Sequence, residues 1–90
     1  MAEMNSKYQK RVMFESKGIQ RNLLTAIQKQ LKARNKKMAT LAGVGVRSWT
    51  DWKREKNSVT LPALKKLCRI SHTSFPEKVE IKDPFWYTLL

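Results

Sequence analysis

Two glycines close together, Gly43 and Gly45, interrupt a chain whose apolar residues otherwise follow a helical period. Glycine reaches positive φ at little cost, so it stops a helix that an alanine would extend. A short apolar run precedes the glycines, and Asn35 can cap the free N–H groups at the start of that run. The sequence therefore predicts two helices, over about 36–42 and 46–56, joined by a tight turn.

The helical spacing of apolar residues continues on both sides of this pair. From Ile19 to Leu31 they recur three and four positions apart, which predicts an earlier helix over about 19–34. Thr60 can cap a later helix over about 61–70, because a proline such as Pro62 is tolerated in the first turn.

The segment Ser74-Phe75-Pro76-Glu77 has the pattern of a capping box, in which serine and glutamate three positions apart satisfy each other's backbone N–H groups. It predicts a short fifth helix that ends near Glu80. Strand-like alternation of apolar and polar residues appears nowhere convincingly in the chain. We therefore expect an all-α fold, a compact bundle of about five short helices that contains a helix-turn-helix.

The charge of the chain indicates a polyanionic partner. Among 90 residues, 19 Lys and Arg face only 7 Asp and Glu, a net charge of +12. This exceeds the magnitude of roughly 2 to 8 that keeps a small domain soluble. The first seventy residues carry the whole excess and the last twenty are slightly acidic. Nucleic acid is the first candidate partner and an anionic membrane surface the second.

The inventory of reactive side chains argues against an enzyme. The only cysteine is Cys68 and the only histidine is His72, too few for a zinc site or for an activated nucleophile. We expect no catalytic residues, no metal and no cofactor, with Cys68 in the core and His72 in a solvated loop. No apolar stretch approaches the roughly 20 residues needed to span a bilayer. A cytoplasmic protein without membrane contact is expected.

Three stretches, taken together, resemble a known family. Residues 38–54, MATLAGVGVRSWTDWKR, are similar to the helix 2, turn and helix 3 signature of the phage-repressor-like (Cro and XRE) helix-turn-helix family. Residues 60–67, TLPALKKL, match its fourth helix, and residues 74–77, SFPE, match the start of its fifth. The resemblance covers about residues 19–80. It implies a lambda-repressor-like bundle that binds specific sequences of double-stranded DNA, as a transcriptional regulator or as the DNA-targeting domain of a larger protein.

The sequence departs from this family at three positions. Gly45 stands where the family usually has Ser or Thr, so a hydroxyl contact to phosphate is lost there. The glycine that often follows helix 3 is replaced by Lys56 or Asn57, and the apolar anchor of that helix is the larger Trp49. The fold tolerates these changes more easily than the DNA contacts do.

The helix predicted over 46–56 is the expected reading element, since the major groove of B-DNA, about 12 Å wide, admits one helix. Helical geometry places one set of side chains toward the bases: Val46, Arg47, Thr50, Asp51 and Arg54. Arg47 can pair bidentately with guanine O6 and N7, and Val46 can touch a thymine methyl group. Asp51 either accepts a hydrogen bond from cytosine N4 or orients a neighbouring arginine.

Other groups are expected to contact phosphates without reading sequence. They are Lys29, Lys36, Lys37, Gly45, Ser48, Lys53 and Lys56. Residues 1–17 are predicted to form a basic N-terminal arm that is mobile alone and tightens binding. Its cations are Lys7, Lys10, Arg11 and Lys17.

The remaining chain divides into a helix-turn-helix DNA-binding domain over 18–81 and an apolar tail over 82–90. The tail is expected to fold back on the domain, and the alternative is contact with a second subunit or with a missing downstream domain. A homodimer on DNA is expected to read two half-sites.

Two other functions stay open from the sequence alone. The same fold can serve as a protein-interaction module, as in antitoxin-like or coactivator-like proteins, although arginines and lysines on the reading helix argue against it. The second open function is binding of RNA or of single strands, because Trp49 and Trp52 could stack on bases. Tryptophans on the apolar face of a short helix are more often core, and we expect these two in the core.

Overall fold

The computed structural model of the protein describes residues 9–83, which form four helices and two short strands. In chain order these elements are β1 Arg11–Phe14, α1 Ile19–Leu31, α2 Asn35–Ala42, α3 Val46–Lys53, α4 Leu61–Ser71 and β2 Val79–Lys82. Helices α2 and α3, joined by residues 43–45, correspond to the two helices that the sequence predicted on either side of the glycines. Within the described part of the chain, no helix is long and apolar enough to cross a membrane.

The expectation of an all-α fold was wrong, because β1 and β2 form an antiparallel two-stranded sheet. Their register places Val12 opposite Ile81 and Phe14 opposite Val79. Val12 is fully buried, and its N–H donates to the Val59 carbonyl at 2.9 Å on the side of β1 away from β2. A four-residue strand offers only two apolar positions of alternation, too few to recognise without its distant partner.

The predicted fifth helix is also wrong. Residues 73–76 form an irregular segment and the chain then enters β2, so Ser74 does not begin a helix. Val79 and Ile81, the apolar residues after Glu77, are two positions apart. That is the period of a strand, which overrides the local capping-box signal.

All four helices end in the same way, with one residue in the left-handed region. After α2 it is Gly43, at φ 77°, whose N–H donates to the Thr40 carbonyl while the next N–H donates to Ala39. This pair of bonds is the Schellman motif. Lys32, Glu55 and His72 occupy the equivalent position after α1, α3 and α4.

These non-glycine ends correct two predicted boundaries. Helix α1 ends at Leu31 and not near residue 34, and α3 ends at Lys53 and not near residue 56. Neither end carries the usual local signal of a left-handed cap, which is a glycine. The starts of α1 and α4, at Ile19 and Leu61, agree with the predicted ones.

The core lies between the four helices and β1. Trp49 and Trp52 of α3 are 0% and 2% exposed and are its largest members, as the sequence predicted. They pack with apolar residues of the other elements, namely Val12, Leu24, Ile27, Met38, Val59, Leu64 and Leu67. Cys68 is buried in the same core, where desolvation raises the pKa of its thiol.

Candidate nucleic-acid interface

One face of α3 is anchored in the core and the other is turned outward. Because Trp49 and Trp52 are buried, the helical period turns Arg47, Thr50 and Arg54 to the opposite side. We call Val46, Arg47, Thr50, Asp51 and Arg54 the outer face of α3. Arg47 and Arg54 are exposed, Val46 is 45% exposed, and Thr50 and Asp51 are half-buried. The structure therefore brings the five predicted base-contacting residues together on one surface.

The polar groups of this face differ in how strongly they are held. The Thr50 hydroxyl donates to the Arg47 carbonyl of its own helix at 3.0 Å. Between residues 9 and 83, the guanidinium groups of Arg47 and Arg54 have neither a hydrogen-bond nor an ion-pair partner. Arg54 follows the last residue of α3, at the far end of the outer face from Val46. Two cationic groups are thus available to an external ligand about two helical turns apart.

Carboxylates are missing from a long part of the chain around this face. Between Glu15 and Asp51 the sequence contains no acidic residue, although this stretch includes all of α1 and α2. It carries eight cations, namely Lys17, Arg21, Lys29, Lys32, Arg34, Lys36, Lys37 and Arg47. With no acidic neighbour in sequence, these cations leave the α1 and α2 side of the molecule strongly positive.

Most of the predicted phosphate-contacting groups are accessible. Lys29, Lys36, Lys37 and Lys56 are exposed, as is Gly45 at the N-terminal end of α3, whereas Ser48 is half-buried. Lys53 differs from these lysines, because its ammonium donates to the Gln28 side-chain oxygen at 2.7 Å. This half-buried lysine joins α3 to α1 and is already engaged within the protein.

A shallow groove of about 260 Å³ runs beside the outer face of α3. It is lined by Arg21 and Thr25 of α1, Asn35 of α2, and Thr50, Lys53 and Arg54. Three of these six residues are cationic and none is acidic. An anionic ligand that contacts the outer face of α3 can therefore also contact α1 and the start of α2.

Part of the predicted N-terminal arm belongs to the folded domain. Arg11 lies in β1, and its guanidinium donates to the Ser58 carbonyl at 2.7 Å. Lys10 is exposed and lies 3.8 Å from the carboxylate of Asp83, and Lys17 is exposed ahead of α1. The sheet thus fixes residues 11–14, which the sequence placed in a mobile segment. Lys7 lies outside the described residues.

A network that the sequence did not reveal sets the orientation of α3. The Asn35 side-chain oxygen accepts from the indole N–H of Trp49 at 3.0 Å and from the Gln28 amide at 3.1 Å. We expected Asn35 to cap α2, but Arg34 holds the cap position and no side chain caps this end. Polar residues on three different helices could be paired only once their relative positions were known.

Glu55 is a second residue whose role was missed. Its carboxylate accepts the N–H of Gly18 at 2.8 and 2.9 Å and the N–H of Arg21 at 2.9 Å. It therefore caps the start of α1, which has no acidic residue in its own first turn. These bonds, from Arg21 first and from Gly18 second, hold the pKa of the Glu55 carboxyl below its ordinary value of 4.5. The end of α3 is thereby fastened to the beginning of α1.

Two further points concern the C-terminal tail and the side chains that could bind a metal ion. The apolar tail from Pro84 to Leu90 lies outside the described residues. In the part that is described, no group of three or more His, Cys, Asp or Glu side chains could hold a metal ion.

Comparison of the chain with protein-family models, with curated proteins and with solved structures finds no match.

Proposed function

We propose that this domain binds specific sequences of double-stranded DNA with α3 in the major groove, as a transcriptional regulator or as the DNA-targeting part of a larger protein. One observation carries the proposal. The outer face of α3 presents Arg47 and Arg54 without partners in the described chain, while Trp49 and Trp52 fix the opposite face in the core.

The dimensions of DNA support this arrangement. A major groove about 12 Å wide accepts a helix, and the first residues of that helix reach the base edges. Arg47 is in the first turn of α3, where a guanidinium can pair with guanine O6 and N7. Val46 is exposed beside it and can contact a thymine methyl group. Asp51 can accept from cytosine N4.

Phosphate contacts would supply most of the affinity. Exposed Lys29, Lys36, Lys37 and Lys56 are available for them. The resemblance of residues 38–54 to the phage-repressor-like family favours the same function. A regulator of this kind is expected at the nucleoid in the cytoplasm, as a homodimer when its site has two half-sites.

Stacking of single-stranded bases on Trp49 or Trp52 finds no support. Trp49 and Trp52 are 0% and 2% exposed, and a base can stack only on a ring that it can reach. Duplex DNA is therefore the nucleic acid that this surface fits best.

The salt dependence of binding tests the proposal. When about five phosphates are neutralised, the slope of log K against log salt is roughly −4.5 for duplex DNA. Fluorescence anisotropy of a labelled duplex, measured over a range of salt concentrations, gives this slope. A slope near zero, or no binding at low salt, would contradict the proposal.

A further inference from the structure

A second surface lies where α1 turns into α2, and we call it the α1–α2 groove. Its volume is about 670 Å³, compared with about 260 Å³ for the groove beside the outer face of α3. Leu31, Ala33 and Leu41 form an apolar floor, and all three are half-buried and packed against the core. Lys32, Arg34, Lys36 and Lys37 form its rim, and all four are exposed.

Local backbone geometry builds this groove. The left-handed residue Lys32 turns the chain sharply, so the connection between α1 and α2 takes only three residues. Lys37 and Leu41 are one turn apart on α2 and lie on the same side of the helix. An apolar floor and a cationic rim are thus presented together.

The charged residues that line the groove indicate an anionic ligand. Every charged residue that lines it is basic, and no residue of α3 takes part in it. A ligand with several carboxylates would pair with the rim, while its apolar side chains would cover Leu31, Ala33 and Leu41.

We propose that the α1–α2 groove binds an acidic amphipathic segment of a partner protein. Such a segment lays apolar side chains, three and four positions apart, on an apolar floor and pairs its carboxylates with the rim. The volume of the groove lies within the range of about 300 to 1,000 Å³ that is typical of ligand-binding clefts. This interaction adds a protein partner to the proposed function, and it uses Lys36 and Lys37, which are also proposed phosphate contacts.

The apolar floor distinguishes this ligand from DNA. The backbone of DNA could pair its phosphates with Lys36 and Lys37, but its surface of phosphates and sugars gives no reason for an apolar floor. Contact with a protein segment explains both the floor and the rim.

The test uses a fluorescein-labelled peptide of leucine and glutamate, about 14 residues long, with leucines at helical spacing. A second peptide carries serine at each leucine and has the same charge. Binding to the full chain is measured by anisotropy at about 0.15 M salt, where exposed charges act over roughly 8 Å. The leucine peptide is expected to bind at least about tenfold more tightly than the serine peptide.

Paired variants locate the binding site. Lys36→Glu with Lys37→Glu is expected to weaken the leucine peptide at least about tenfold. The matched control, Lys65→Glu with Lys66→Glu on α4, removes the same charge and should weaken it less than about threefold. Leu41→Ser should weaken the peptide at least about fivefold, and Ile81→Ser, at an exposed apolar residue elsewhere, less than about twofold.

Three results would overturn the proposal: equal weakening by the two lysine pairs, equal binding of the two peptides, or an effect of Lys36→Glu with Lys37→Glu on duplex DNA but not on the peptide. The last result would assign the rim to the DNA interface alone. Because the lysines are exposed, the two lysine pairs keep the core intact, and circular dichroism verifies the fold of these variants and of Leu41→Ser and Ile81→Ser. Duplex affinity of the unchanged chain, measured in parallel, tests the proposed function separately.

Discussion

At the scale of single residues, Glu55 joins two parts of the molecule that are far apart in sequence. Its φ of 60° is a conformation that side chains other than glycine rarely adopt. The same turn ends α3 and brings the carboxylate onto the N–H groups at the start of α1. Strain at one residue is offset by bonds that cap another helix.

The lowered pKa of Glu55 makes its contribution to stability depend on pH. The carboxylate stabilises the fold above about pH 4.5, and this contribution is lost as the pH falls through the lower pKa of the folded state. We expect Glu55→Gln to reduce the melting temperature near neutral pH, and the difference from the wild type to shrink below pH 4.5. Thermal unfolding between pH 7 and pH 3 measures both. A difference that stays constant over this range would contradict the capping role.

His72 and Lys32 hold the same strained backbone as Glu55 but without a comparable bond from their side chains. Replacing His72 with glycine removes a left-handed strain of about 1 to 2 kcal/mol and adds chain entropy of about 0.5 to 1 kcal/mol to the unfolded state. His72→Gly is therefore expected to stabilise the fold by about 0.5 to 1 kcal/mol in urea unfolding. Glu55→Gly relieves the same strain but loses the cap, so it should be less favourable than His72→Gly. The reverse order would show that the cap contributes little.

At the scale of elements, buried Gln20 connects α1 to the loop after α3. Its side-chain N–H₂ donates to the carbonyls of Trp52 at 2.8 Å and Asn57 at 2.9 Å. Its oxygen accepts the N–H of Val59 at 3.2 Å, and the carbonyl of Val59 accepts the N–H of Val12 in β1. One side chain thus bonds three backbone groups, of which the Trp52 carbonyl also accepts the N–H of Glu55.

Loss of this amide should be costly. Gln20→Leu keeps an apolar stem but removes the partner of the Asn57 carbonyl and of the Val59 N–H, while the Trp52 carbonyl keeps the N–H of Glu55. The expected loss is about 2 to 3 kcal/mol in the free energy of unfolding. Gln30→Leu, at an exposed position of the same helix, is the matched control and should change stability by less than about 0.5 kcal/mol. Similar midpoints in urea for the two variants would contradict the assigned role.

The elements also show which structural features follow from local sequence. The helix starts at Ile19 and Leu61 were predicted because a periodic apolar stripe and, for Leu61, a capping residue are local signals. The strands were missed because β1 and β2 pair residues about seventy positions apart, as Arg11 does with Lys82. The ends of α1 and α3 were missed because the left-handed residues that follow these helices, Lys32 and Glu55, are not glycines.

At the scale of the whole molecule, the sheet and the helices together define two surfaces. β1 and β2 close one side of the core, and α4 supports α1 and α2 within it. The α1–α2 groove lies wholly on the stretch that lacks acidic residues, and the outer face of α3 begins on that stretch and ends beyond it, at Asp51 and Arg54. The distribution of charge therefore places both proposed partners, DNA and an acidic protein segment, on the helical part of the fold.

The candidate site could be read from sequence only in part. The helical period and the burial of two tryptophans are enough to place Arg47 and Arg54 on one outer face. The network of Asn35, Gln28 and Lys53 depends on how three helices pack together, and local sequence patterns do not predict that packing. The engagement of Lys53 with Gln28 was missed for this reason.

The most direct test of the central claim is a selection from random duplexes, with sequencing of the bound fraction, for the wild type, Arg47→Ala and Lys65→Ala. We predict that the wild type enriches a short sequence and that Arg47→Ala loses about 1 to 3 kcal/mol of preference at one base pair. Lys65, exposed on α4 and outside the proposed interface, should leave the enriched sequence unchanged. No enriched sequence for the wild type, or an identical one for Arg47→Ala, would contradict the account.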